Sequence, residues 1–67
     1  MIEINGQFEV RPDHISGVGK LFRTPNRLGV QSFEIYLIGG QTLTVSAPEG
    51  AVEIVRGAVV QAVHDLP

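Results

Sequence analysis

The chain contains no cysteine, no tryptophan and one tyrosine, and only 18% of its 67 residues are charged. Each shortage excludes something. Without cysteine there is no disulfide staple and no thiolate to hold a metal or act as a nucleophile. A net charge of −2 at pH 7 gives no general attraction to nucleic acid. No apolar run approaches the roughly 20 residues a membrane-spanning helix needs. Glu3 and Asn5 stand where the apolar core of a secretory signal would lie. The expectation is a soluble, cytoplasmic protein that crosses no membrane.

What is present argues for folding. Hydrophobic residues make up 43% of the chain, too many for a disordered segment of this low charge. The length allows one domain, residues 1–67, with a small core. Domains of this size bury only about 60% of their unfolded surface and often lean on a staple or a partner subunit.

The stretch Phe33 to Ser46, FEIYLIGGQTLTVS, organises the rest. Phe33, Ile35 and Leu37 alternate with Glu34 and Tyr36, and Leu43 and Val45 alternate with Thr42, Thr44 and Ser46. Period-two alternation of this composition marks half-buried strands. A two-residue turn at Gly39-Gly40 would pair Ile35 with Thr44. A three-residue loop, Ile38-Gly39-Gly40, pairs Ile35 with Leu43 and Phe33 with Val45, gathering the apolar residues on one face. A slip of one residue would scatter them, so the three-residue loop is predicted. Gly40 then takes the left-handed position of a type I turn with a G1 bulge, and Glu34, Tyr36, Thr42 and Thr44 face water.

Upstream, Asn5-Gly6 between short alternating runs signals a hairpin within residues 2–10. Its register stays open: Ile4 opposes Gln7 or Phe8, according to loop length. Arg11-Pro12-Asp13 breaks the strand. Residues 15–22, ISGVGKLF, read as a weak strand whose Gly17 and Gly19 leave room for the helix to lie over them. Arg23 to Gln31 reads as a loop, followed by strands over 32–38 and 41–46.

A helix is predicted over 47–64. Ser46 and Glu49 have the spacing of a capping box, and Pro48 is tolerated in a first turn. Glu49, Glu53, Arg56, Gly57, Gln61 and His64 form a polar stripe. The apolar arc opposite is wider than the roughly 100° that one sheet face covers. Val52, Val59, Val60 and Val63 are therefore expected to extend beyond the sheet and to form an oligomer interface, in a homodimer.

Motifs for chemistry fail on inspection. SGVGK lacks the Walker pattern, which would need glycine at His14 and serine or threonine at Leu21. His14 and His64, the only histidines, have no metal-ligand spacing. Ser16, His14 and Asp13 can be drawn as a triad, but adjacency in sequence is not triad geometry. The chain is read as non-enzymatic, with no cofactor, no metal and no catalytic residue. Lys20, Arg23 and Arg27 beside Phe22 form a basic loop, Lys20–Arg27, that is a candidate for gripping phosphates or stacking a base. The commoner role of such residues is a solvated tip.

The plan carried by Asn5, Gly6, Ile15, Ile35, Leu37, Gly40, Leu43 and Val45, followed by a helix, resembles the small bacterial FlbD-like proteins of flagellar operons. The sequence departs from them in its long Arg23–Gln31 loop and in a helix without a basic C-terminal end. The resemblance implies a compact, bacterial, cytoplasmic, regulatory protein and brings no site residue with it. Phages and prophages also encode domains of this size, some of them host-directed inhibitors. The fold expected is α+β, an antiparallel meander of about four strands with one C-terminal helix on one face. The function expected is docking on a partner protein, with nucleic-acid or anion binding through the basic loop as the alternative.

Overall fold

The computed structural model describes all residues, Met1–Pro67. It is an α+β fold, antiparallel sheets covered by one C-terminal helix. Strands β1 (Ile2–Ile4) and β2 (Phe8–Val10) form a two-stranded ribbon. A 3-10 turn at Pro12–His14 leads into β3 (Ile15–Val18), followed by β4 (Phe22–Arg23), β5 (Val30–Leu37), β6 (Thr42–Pro48) and helix α1 (Ala51–His64). The larger sheet is built on β5, with β6 along one side and β3 then β4 along the other.

The β5–β6 hairpin has the register that gathers the apolar side chains. Phe33 opposes Val45 and Ile35 opposes Leu43, and Leu37 N–H donates to Gln41 O at 2.8 Å across the three-residue loop. The loop differs from a type I turn in one respect. Gly39 (φ 103°) and Gly40 (φ 93°) are both left-handed, and positive φ at the second central residue is the requirement of type II. In the ribbon, Asn5 and Gly6 carry positive φ as in a type I′ turn. Gln7 is an extra residue there, and Ile4 opposes Phe8.

Residues 15–23 are one strand interrupted twice. A bulge between Ile15 and Gly17 switches the side-chain parity, so that Ile15 and Val18 both reach the core. Pairing then lapses after Gly19, whose N–H still reaches Glu34 O at 2.7 Å, and resumes at Phe22. The two glycines are covered by Tyr36, not by the helix. A Cβ on Gly17 would sit 3.5 Å from the Tyr36 ring, and one on Gly19 would sit 3.2 Å from its hydroxyl. Strand β5 begins two residues earlier than the alternation suggests, at Val30, because Gln31 and Ser32 pair with both neighbouring strands.

The helix starts later than the capping-box reading has it. Strand β6 continues through Ser46 to Pro48, which pairs with Val30. Glu49 N–H donates to Gly29 O at 2.9 Å, and Gly50 turns the chain at φ 86° into the helix. Ser46 is thus a strand residue, and its hydroxyl meets Ser32 Oγ at 2.8 Å instead of capping a helix. Strand pairing on one side and a side-chain partner on the other outweigh a single cap bond.

Only ten residues are buried: Ile4, Val10, Ile15, Phe33, Ile35, Val45, Ala47, Val52, Val59 and the polar Ser32. The core lies between the sheet face carrying Phe33 and Ile35, the ribbon, and the helix stripe Val52, Val55, Val59 and Val63. This corrects the expected oligomer interface at Val52, Val59 and Val63, while Val60 is exposed as expected. Val52 and Val59 are core residues at 0% and 2% exposure, and Val63 packs against the core from its edge. The phase is set by area. A stripe of four valines buries more apolar surface than the alternative stripe Ala51, Ile54, Ala58 and Ala62.

Candidate docking surface

That choice of phase leaves Ile54 stranded. Its side chain is 76% exposed, whereas Val60, on the opposite flank of the buried stripe, is 40% exposed. Ile54 stands over a groove of about 380 Å³ between β1 and α1. Ile2, Ile4, Val55, Ala58 and Val59 form its apolar lining, with Glu3 and Asn5 at the rim. The short Ala58 side chain keeps the groove open, and the 3-residue strand β1 forms its other wall. An apolar concavity with a few polar groups at its margin is the usual form of a binding site. Sequence reasoning missed it. The one available signal was Ile54, the single long aliphatic residue out of phase with the valines.

Beside this groove the ribbon has an acidic outer face. Glu3 and Glu9 are directly opposed across β1 and β2 and both are exposed. Like charges in this position destabilise a strand pair.

The basic residues do not converge. Lys20 lies in the break between β3 and β4. Phe22 and Arg23 are adjacent on β4 and so point to opposite faces of the sheet. Phe22 pairs with Ser32 on the face away from the helix, 40% exposed. Arg27, beyond the turn that Asn26 makes at φ 62°, lines a separate shallow depression with Gln7, Val30 and Pro48. All three cations are exposed, and none is in a salt bridge, the one ion pair being Arg11–Asp13 at 3.0 Å.

The Ser16, His14 and Asp13 arrangement is not assembled. Ser16 Oγ donates to Tyr36 O at 3.1 Å, and both carboxylate oxygens of Asp13 accept from Arg11. His14 and His64 lie at the 3-10 turn and the last helical turn, and no three histidine or carboxylate groups come together as a metal site would require. A hydroxyl relay does exist. Thr24 Oγ1 meets Ser32 Oγ at 2.6 Å, and Ser32 Oγ meets Ser46 Oγ at 2.8 Å. No acid or base takes part in it, and it ties the segment just after β4 to β5 and β6.

No helix is long and apolar enough to cross a membrane. Compared with protein-family models, with curated proteins and with solved structures, the chain matches none.

Proposed function

We propose that this chain is a non-enzymatic protein-interaction module, a small bacterial or phage regulatory or inhibitory protein that acts by docking on a partner protein. The observation that carries this reading is the apolar groove between β1 and α1 with Ile54 exposed above it. Exposed contiguous apolar surface of this kind usually marks an interaction site. The resemblance of the sequence plan to FlbD-like proteins supports a regulatory role. The partner that suits the groove is an apolar helix or strand segment followed by a basic residue to meet Glu3.

The test is comparative capture. Ile54→Asp changes a side chain already in water, so the folded state should survive. A protein retained from host extract by the wild type and lost by Ile54→Asp, at unchanged thermal midpoint, supports the groove. Equal retention by both removes it.

Nucleic-acid or anion binding through Lys20, Arg23 and Arg27 is the second reading, favoured by the absence of carboxylate partners for all three. The divergence of Phe22 and Arg23 weighs against it. Binding of a single-stranded oligonucleotide at low salt, lost in the triple alanine variant and falling steeply with salt, is its signature. Self-association belongs to the first reading, because a core of ten residues in a chain without cysteine gains from added burial.

A further inference from the structure

The two long edges of the main sheet are treated differently. The edge formed by β3 and β4 is bulged at Ile15–Gly17, broken around Lys20 and ends on Arg23. Bulges, breaks and charged residues are the devices by which proteins prevent strands from adding to a sheet. The other edge, β6, has none of them over Thr42–Ala47, where there is no charged residue and no bulge.

The ladder fixes which groups β6 presents. Leu37 N–H bonds to Gln41 O, so Leu43, Val45 and Ala47 turn their N–H and C=O toward β5. Thr42, Thr44 and Ser46 turn theirs outward. Ser46 O is taken by Asn5 Nδ2 at 3.1 Å. Thr42 and Thr44 are exposed, with two donors and two acceptors facing away from the sheet.

We propose that β6 pairs antiparallel with β6 of a second copy, about a two-fold axis at Leu43. This rests on the self-association reading above and names its surface. In that register Thr42 and Thr44 of one copy exchange backbone hydrogen bonds with Thr44 and Thr42 of the other. Leu43 meets Leu43 on the core side, and threonine meets threonine on the outer side. The triplet Thr42-Leu43-Thr44 is its own complement under this operation. Ser46 lies outside the paired triplet and keeps its bond to Asn5. The β1–α1 groove, which β6 does not line, stays open for a different protein.

The test uses the full chain in sedimentation equilibrium, with Thr44→Pro and Thr44→Lys. Proline is tolerated at an edge position whose N–H faces solvent, so the monomer should fold. The wild type should show twice the chain mass. Thr44→Pro deletes an N–H donor in each copy, so two backbone bonds are lost together, and Thr44→Lys brings two like charges onto one face of the paired strands; each should weaken dimerisation by more than about tenfold. If proline unfolds the chain, the lysine variant decides. Leu43→Cys should cross-link to its own copy on mild oxidation, because directly opposed residues of a non-hydrogen-bonded pair lie within disulfide reach. A wild type that stays monomeric at high micromolar concentration overturns both this inference and the self-association reading. A dimer indifferent to Thr44→Lys overturns the β6 surface alone.

Discussion

Arg56 Nε donates to the backbone oxygen of Gly19 at 2.9 Å, tying the middle of the helix to the point where the β3–β4 strand loses its pairing. Gly19 has spent its N–H on Glu34 O. Its carbonyl, at the break, is met by the guanidinium. Arg56 is half-buried, and the bond is charge-assisted.

Replacing Arg56 by methionine keeps an apolar stem of similar length and deletes the donor. The expected cost is about 1.5 kcal/mol, the lower part of the range for hydrogen bonds to charged groups, given partial solvent access. Urea denaturation should show the loss, with faster amide exchange around Gly19–Leu21. An unchanged midpoint would mean water replaces the guanidinium at no cost.

The hydroxyl relay centred on buried Ser32 gives an asymmetric prediction. Ser32 is 1% exposed and bonds both Thr24 and Ser46. Ser32→Ala leaves two hydroxyls without their partner and should cost about 1–3 kcal/mol. Changing all three together, Thr24→Val, Ser32→Ala and Ser46→Ala, should cost less than the sum of the single changes, because no orphaned hydroxyl remains. Strict additivity in a denaturant series would show that the three act independently.

Gly40→Val tests the turn. A Cβ there has open space around it, so sterics with neighbours are not the issue. The backbone at φ 93° is, since a β-branched residue is strongly disfavoured at positive φ. The expected destabilisation is about 1–3 kcal/mol, and Gly39→Val should behave alike. Tolerance at both positions would mean that the loop can reform with other dihedrals.

The helix phase is checked by three truncations read side by side. Val52→Ala and Val59→Ala should each cost about 2 kcal/mol, through lost burial and a residual cavity. Val60→Ala should stay within about 0.5 kcal/mol in the monomer. Equal effects at Val59 and Val60 would place the buried stripe elsewhere.

The alternation in Phe33–Leu37 and Leu43–Val45 was enough, by itself, to determine the central hairpin, its loop length and its register. Only one register puts every large apolar side chain on one face, and that constraint is local. Asn5-Gly6 likewise determined a hairpin, and the apolar arc of the last third determined a helix. The rest needed the tertiary structure. Ser46 looks like an N-cap until β5 is extended to Val30 and claims Pro48 as a strand residue. The glycines of ISGVGK look like a bed for the helix until the bulge at Ile15–Gly17 turns them toward Tyr36. The wide helical arc permits two buried stripes. Which one packs depends on the area each offers the sheet and on Arg56 reaching Gly19, a partner 37 residues away. The docking groove follows from that choice, since Ile54 is exposed only because Val52, Val55 and Val59 are not. Local periodicity fixes what each segment is. Which of its faces meets water is decided by contacts between segments far apart in the chain.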